Sequence, residues 1–258
     1  GDVFKHANNA GSAKHGGLLV LAGDDHAAKS SSTAHQSDHI LNACGIPVLY
    51  PSSVQEYIDY GLHAWAMSRY TGLWVSMKCV TDIIESGAVV DFDPDRVQIQ
   101  MPDDFELPPG GLNIRWPDTV LDMEVRMNTY KWYAALAYCR ANKLNKIIWD
   151  SPKPKIGIIT AGKSYLDTRQ ALADLGIDEQ AAADIGIRLY KIGMTWPLEA
   201  EGVQEFAKGL DEILVVEEKR QILEYALKEE LYNLPDGQRP RVVGKFDDTG
   251  EWSNHGKT

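Results

Sequence analysis

Residues 155–175 read KIGIITAGKSYLDTRQALADL, and this stretch decides the fold class. An apolar run over residues 156–160 is followed by a glycine, and a helical pattern then extends from Ser164 to a stop at Gly176. The run has no polar face, as expected for a strand that is buried on both sides of a parallel sheet. We therefore predict a strand, a tight turn at Ala161-Gly162 and a helix, which is the repeating unit of an α/β domain.

The same stretch also matches a nucleotide-binding pattern. From Gly157 to Ser164 it fits G-x-x-x-x-G-K-[ST], in which backbone amides wrap the phosphates and the lysine, Lys163, reaches the terminal ones. In a phosphate loop the first glycine follows the strand, whereas Gly157 lies inside the apolar run. A P-loop nucleotide-binding protein therefore stays as the alternative function, and the tight turn is the favoured interpretation.

Apolar runs alternate with helical patterns along the rest of the chain. Further strands are predicted at residues 18–21, 46–49, 73–80, 187–191, 213–216 and 242–243, and one at 97–101 within an Asp- and Pro-rich stretch. Helices are predicted at residues 2–15, 37–43, 53–69, 121–143, 178–185, 198–210 and 219–232. Ser53 and Glu56 are expected to form a capping box at the start of the third helix. This alternation indicates mainly parallel sheets covered by helices.

A proline-rich segment divides the chain into two predicted domains. Residues 151–155 read SPKPK, and two closely spaced prolines cannot continue a helix and favour an extended linker. The predicted domains are residues 1–150 and residues 151–258. We expect each to be a three-layer α/β domain with a mainly parallel sheet.

The composition describes a folded, acidic chain. Its 258 residues are 44% hydrophobic and 24% charged, which excludes a disordered chain. The net charge of −11 argues against a nucleic-acid or anionic-membrane partner. The longest apolar stretch, residues 18–22, is too short to span a bilayer. The cysteines Cys44, Cys79 and Cys139 form no C-x-x-C pair, which favours a reducing, cytoplasmic location.

Several residues after the first strand resemble metal-binding patterns, and each pattern is incomplete. His35 and His39 lie four positions apart, and Asp25 or Asp38 would complete a site, but the Glu of H-E-x-x-H is missing. Residues 23–25 begin like a magnesium motif that binds thiamine diphosphate, but no Asn follows at the required distance. We therefore expect no metal site in the chain. Neither G-x-S-x-G nor G-x-G-x-x-G occurs at a strand end, which disfavours a serine hydrolase and a nicotinamide-binding fold.

Five segments in a shared order resemble one enzyme family over nearly the whole chain. They are LVLAGDD at 19–25 with Ser30-Ser31, GIPVLYPSSVQE at 45–56, KIGIITAG at 155–162 with Tyr165, KIGMTWP at 191–197 and LVVEE at 214–218. They are similar to the alpha-type chain of the 2-oxoacid:ferredoxin oxidoreductases, in particular the indolepyruvate ferredoxin oxidoreductases. His26 stands where that family usually has proline.

The resemblance implies a fold, a reaction and a set of partners. Residues 1–150 would be a pyrimidine-binding thiamine diphosphate domain truncated at its N-terminus, and residues 151–258 a transketolase C-terminal-like domain. The complete enzyme would use thiamine diphosphate and Mg, with iron–sulfur clusters on other domains. It would oxidatively decarboxylate 2-oxo acids such as indolepyruvate and other arylpyruvates, and pass electrons to ferredoxin. The remaining domains or subunits of the enzyme, and a second copy in a homodimer, are the implied partners.

The resemblance also implies what this chain lacks. The glutamate that activates thiamine diphosphate would lie upstream of Gly1, so we expect an internal fragment that binds no cofactor and is inactive alone. In an alternative interpretation, the second domain serves as an assembly surface. Asp24, Asp25, Ser30 and Ser31 match the family loop and are expected near substrate or cofactor. Lys29 and His35 are candidates to meet a substrate carboxylate, and a solvated loop face is their other interpretation.

Overall fold

The computed structural model describes residues 1–246, which form two compact units. Unit 1 contains Gly1–Leu144 and Met194–Pro197, and unit 2 contains Asn145–Gly193 and the chain from Leu198 onward. This division falls before the segment 151–155, because a strand that precedes the segment pairs within the sheet of unit 2. The assignment of residues 1–150 and 151–258 to pyrimidine-type and transketolase C-terminal-like domains stays a prediction.

The sheet of unit 1 has four strands in the order β1-β3-β2-β7. The strands are β1 (Leu19–Asp24), β2 (Val48–Leu49), β3 (Val75–Val80) and β7 (Met194–Trp196). β3 is parallel to both β1 and β2, and β7 is antiparallel to β2. The strand predicted at residues 18–21 is present as β1, but it lies at an edge of the sheet, where Leu21 is 64% exposed.

Unit 1 contains six α-helices in the described part of the chain. They are α1 (Asp2–Ala10), α2 (Asp38–Ala43), α3 (Val54–Thr71), α4 (Thr81–Ile84), α5 (Val120–Arg126) and α6 (Trp132–Ala141), with a π-helical turn (Met127–Lys131) joining the last two. The helix predicted at residues 2–15 ends early, because Gly11 has a φ of 95° and the next amide bonds to Gly72. The predicted helix at 121–143 is confirmed as one helical stretch that contains this π-helical turn.

Two local predictions in unit 1 needed correction. Ser53 accepts the amide of Glu56, but the Glu56 carboxylate accepts the amide and hydroxyl of Ser52 at 2.7 and 2.9 Å instead of closing a capping box. The strand predicted at residues 97–101 is not formed. The amide and carbonyl of Gln100 are instead occupied by the side chain of Asn142.

The core of unit 1 lies between its sheet and helices α3 and α6. Its fully or nearly fully buried members include Leu49, Ala64, Met67, Leu73, Val75, Met127, Ala135, Tyr138 and Met194. None of the helices within residues 1–246 is both long enough and apolar enough to cross a membrane. All three cysteines are free.

Unit 2 is built on a five-stranded sheet in the order β4-β6-β5-β8-β9. Its strands are β4 (Lys146–Trp149), β5 (Ile156–Ala161), β6 (Ile187–Ile192), β8 (Glu212–Val216) and β9 (Arg241–Val243), and its helices are α7 (Gly162–Asp174), α8 (Glu179–Ile185), α9 (Ala200–Ala207) and α10 (Leu223–Leu231). All neighbours are parallel except β4 and β6. The predicted α/β class with mainly parallel sheets is confirmed in both units.

One helix of unit 2 begins later than the sequence predicts, and the cause is local. The helix predicted from residue 219 begins at Leu223, because the Glu217 carboxylate accepts the amides of Ile222, Leu223 and Glu224 and so caps α10. Burial raises the pKa of Glu217, although those amides act against the shift. β4 of unit 2 and β7 of unit 1 were not predicted from the sequence, because each is short and pairs antiparallel with a strand far along the chain.

Gly157 provides a test of the central strand of unit 2. A Cβ at this position would lie 2.6 Å from Leu210 Cδ1 and 2.7 Å from Phe206 Cζ. We expect Gly157→Ala to lower the free energy of unfolding by about 1–3 kcal/mol, because both side chains must move. Urea denaturation measures the change. Gly23→Ala is the control, since a Cβ in that strand meets nothing within 4 Å. Equal costs for the two variants would contradict the close-packing explanation.

Candidate functional site

The candidate residues lie in the segment that follows β1 in unit 1. Asp24 is the last residue of β1, and residues 25–37 leave the carboxyl end of that strand. Ligand sites of α/β sheets form at this end of parallel strands. Asp24 and Asp25 are 2% and 4% exposed, whereas Lys29, Ser30, Ser31 and His35 lie at or near the surface. The structure thus brings the six predicted residues into one loop with two buried anchors.

Asp24 is the inner anchor of the loop. One of its carboxylate oxygens accepts a hydrogen bond from the Ser37 hydroxyl at 2.6 Å and lies 3.0 Å from His35 Nδ1. The other oxygen accepts the Ser37 amide at 3.0 Å. The Asp24 carbonyl accepts the Thr81 hydroxyl at 3.2 Å. These contacts fix both ends of the loop to the end of β1.

A buried lysine from the neighbouring strand balances this carboxylate. Lys78 of β3 is 3% exposed, and its Nζ lies 3.5 Å from Asp24 and forms an ion pair with the buried Asp38 of α2. The ammonium also lies 4.7 Å from the ring centre of Tyr50. His26 Nε2 approaches Asp24 to 4.0 Å. Sequence reasoning missed Lys78, although a lysine inside an apolar strand is itself a signal of a buried partner.

The charge balance sets the acidity of Asp24. Burial acts to raise the pKa of this carboxyl, but the Lys78 ammonium and hydrogen bonds from Ser37 and His35 outweigh that effect and hold the pKa below its ordinary value. Asp24 and Asp38 both lie beside one ammonium, that of Lys78. Removing Lys78 would leave two buried carboxylates without compensation, which is strongly destabilising.

Asp25 organises the outer part of the loop. Its carboxylate accepts the amides of Ser30, Ser31 and Lys29 at 2.7, 2.9 and 2.9 Å, and the Ser30 hydroxyl at 3.3 Å. Hydrogen bonds from the Ser30 and Lys29 amides hold the pKa of Asp25 well below its ordinary value. Ser30 and Ser31 therefore contribute to the loop through their backbone, which the sequence pattern alone did not indicate.

Lys29 and His35 are the basic side chains that this loop presents to solvent. Their side chains are 56% and 51% exposed. Lys29 pairs with Asp82, and His35 pairs with Asp24. Each side chain is thus tethered by a carboxylate and still accessible, an arrangement that can bind a small carboxylate from outside.

The donor set does not fit a magnesium–diphosphate site. Magnesium requires an octahedral shell of oxygen ligands, and the carboxylate oxygens of Asp24 and Asp25 are already occupied by N–H and O–H donors. Within residues 1–246 no group of three or more His, Cys, Asp or Glu side chains is arranged to hold a metal ion. His35 and His39 do not share a helix, because α2 begins at Asp38. The side chains of this loop therefore do not fit the magnesium of thiamine diphosphate.

The geometry of unit 2 argues against a phosphate loop at residues 157–164. Gly157 lies within β5, whose residues pair with β6 on one side and β8 on the other, so its amides are not arranged around an anion. Lys163 Nζ is held by Asp167 at 2.6 Å and Glu218 at 3.4 Å. The tight turn before α7 is therefore the supported interpretation of this stretch.

Comparisons with known proteins agree on one family. Residues 145–258 match the family model described as "Indolepyruvate ferredoxin oxidoreductase middle domain". The chain is 28% identical over 240 residues to indolepyruvate oxidoreductase subunit IorA of Methanothermobacter marburgensis, covering 90% of this chain and 36% of that protein. The corresponding subunit of Pyrococcus abyssi is 27% identical over 223 residues, covering 83% and 32%. The chain thus spans about a third of the length of these relatives.

A solved structure shares the fold. It is a 2-oxoglutarate:ferredoxin oxidoreductase from Magnetococcus marinus with 2-oxoglutarate, coenzyme A and succinyl-CoA bound. The match has a TM-score of 0.56 at 13% identity, and covers 95% of this chain and 48% of that one. At this identity the likeness concerns the arrangement of strands and helices.

The buried charges predict a pH-dependent effect of replacing Asp24. The pKa of Asp24 is lower in the folded chain than its unfolded value of about 3.9, so the ionised carboxyl stabilises the fold above that pH. This stabilisation is lost as the pH falls through the folded-state pKa. We expect Asp24→Asn to lower the free energy of unfolding by about 1.5–3 kcal/mol at neutral pH, because the hydrogen bonds from Ser37 then lose their charged acceptor, and by less as the pH falls below about 4.

Urea denaturation at a series of pH values measures the difference between the unaltered chain and Asp24→Asn. Asp236→Asn is the control, because the side chain of Asp236 is 99% exposed. Asp236→Asn should change the free energy of unfolding by no more than about 0.5 kcal/mol at every pH. A cost for Asp24→Asn that is the same at every pH would contradict the role given to its charge.

Proposed function

The chain is a relative of the indolepyruvate ferredoxin oxidoreductases, and we propose that it serves as a segment of such an enzyme. The proposed reaction is the oxidative decarboxylation of 2-oxo acids, indolepyruvate or other arylpyruvates, with electrons passed to ferredoxin. Thiamine diphosphate would supply the carbanion chemistry of that reaction. The names of the relatives and the residue pattern support this substrate group and this electron acceptor.

The lengths of the relatives support a role as one part of a larger assembly. The two IorA subunits are each about three times as long as the matched region, and the matching family model is that of a middle domain. We therefore propose that the remaining domains or subunits hold thiamine diphosphate, magnesium and the iron–sulfur clusters. A homodimer in the cytoplasm is part of the same proposal, and the chain by itself is expected to be inactive.

The loop after β1 carries the proposed role of this chain's own residues. Lys29 and His35 offer two exposed basic side chains after the carboxyl end of a parallel strand, each in contact with a carboxylate. This is the single observation that favours binding of an anionic substrate over a purely solvated loop. In the proposed role, both side chains orient the carboxylate of the 2-oxo acid, while Asp24 and Asp25 hold the loop in place.

The roles within the loop are distinct. Lys29 and His35 bind substrate through charge, so their loss should weaken substrate binding more than it slows the reaction. Asp24, Lys78 and Asp38 are buried and act as positioning residues. Asp24 contacts Ser37 and His35, and Lys78 contacts Asp24 and Asp38. The kinetic test below examines the residues assigned to substrate binding.

The first test addresses the reaction class. The longer natural protein that carries this chain should reduce a viologen dye anaerobically with indolepyruvate or phenylpyruvate, and only when thiamine diphosphate is present. The 258-residue chain alone, assayed in parallel, should give no turnover. If the enzyme with thiamine diphosphate bound failed to reduce the dye with every 2-oxo acid tested, the result would contradict the proposed function.

The second test addresses the loop. In the same longer protein, Lys29→Met combined with His35→Gln should raise KM for the 2-oxo acid about tenfold with little change in kcat, since a charge-assisted hydrogen bond is worth about 1.5–3 kcal/mol. Lys29→Arg with His35 intact should restore most of the affinity. Lys153→Gln, which removes an exposed cation in unit 2, is the matched control. An unchanged KM in the double variant would contradict the carboxylate-binding role and leave the reaction class untouched.

A further inference from the structure

Unit 1 contains a cavity that plays no part in the proposed function. Its volume is about 650 Å³, which is within the usual range for small-molecule sites. One wall is formed by Ala66 and Tyr70 of α3, and the other by the irregular segment that carries Ile99, Met101, Leu107 and Leu112. The lining is therefore mostly apolar.

Two cations lie at this cavity without acidic partners. Lys14 and Arg69 both contribute to its lining, and no Asp or Glu does. Arg69 donates Nε–H to the Gly16 carbonyl at 3.1 Å, and across residues 1–246 neither cation forms an ion pair. Both cations lie at the same cavity, beside its apolar walls. They favour an anionic ligand.

A buried hydroxyl adds a third polar group. The hydroxyl of Tyr70 is inaccessible to solvent and has no hydrogen-bond partner among the described residues. The nearby Asp104 is already bound by the Nε and Nη2 groups of Arg140, at 2.9 and 2.6 Å. A buried hydroxyl without a partner is costly, so a ligand oxygen that reaches it would gain a hydrogen bond.

The cavity is separate from the loop that carries Lys29 and His35. Lys14 precedes β1, and Arg69 is bonded to Gly16, whereas Asp24 ends the strand. A six-residue strand is roughly 20 Å long, so the two places lie at opposite ends of β1. Binding at one place therefore does not occupy the other.

We propose that this cavity binds an amphipathic carboxylate, with its apolar body between α3 and the segment 99–112 and its carboxylate against Lys14 and Arg69. A neutral apolar molecule would leave both cations unused, and a small hydrophilic anion would leave the apolar walls in contact with water. The chemistry of the lining thus requires both parts in one ligand. The proposal does not depend on the function proposed above.

The test uses the 258-residue chain and anilinonaphthalenesulfonate, an apolar anion whose fluorescence increases in an apolar site. We expect binding at one site, with weaker binding as salt increases, since partly exposed charges are screened. Octanoate should displace the dye at least about tenfold more effectively than octanol, which corresponds to about 1.4 kcal/mol. Equal displacement by the two would overturn the proposal, because the charge of the head group would then contribute nothing. This comparison needs no altered protein.

Variants then locate the site. Lys14→Gln combined with Arg69→Gln should weaken octanoate binding about tenfold or more, and Ala66→Leu should weaken it by occupying part of the apolar wall. Lys153→Gln is the matched control and should bind normally. Near-UV circular dichroism and a cooperative unfolding transition verify that each variant is folded, because the dye also binds loosened states. Unchanged binding in folded Ala66→Leu would overturn the assignment to this cavity.

Discussion

The ion pairs of Lys78 with Asp24 and Asp38 are the constraint on which the candidate loop depends. They join the edge strand β1, its neighbour β3 and helix α2 through groups that are almost fully buried. Removing Lys78 would leave two buried carboxylates without compensation, at a cost of about 3–5 kcal/mol. The ammonium also keeps Asp24 ionised, and in that state the carboxylate accepts the two hydrogen bonds from Ser37.

These buried ion pairs explain how an irregular loop can hold basic side chains at the surface. Asp24 and Asp25 together satisfy amides and hydroxyls on both sides of the loop, so that its backbone is held by carboxylates in the absence of a strand or helix. Lys29 and His35 are then the parts left on the surface. The cavity lined by Lys14 and Arg69 differs from this loop. Its cations have no Asp or Glu beside them in the lining, and its walls are apolar.

Local patterns predicted much of the fold because their causes are local. The strand-turn-helix at residues 156–174 and the helical stretch at 120–141 each carry their own periodicity and stop signals. The sequence reasoning was wrong at residues 97–101, where Asn142 occupies the backbone groups of Gln100 from 42 positions away. It also did not detect β4 and β7, whose pairing partners lie far along the chain.

The amino-acid sequence by itself determined the α/β class, the alternation of elements and the family resemblance, since these depend on residue types at short, fixed spacings. It also placed Asp24, Asp25, Lys29, Ser30, Ser31 and His35 at the end of the first strand. Only the tertiary structure decided which of them are buried anchors and which are exposed, because Lys78, Asp38 and Asp82 come from other elements. It likewise made residues 157–161 a central strand, since a strand is defined by its neighbours in the sheet.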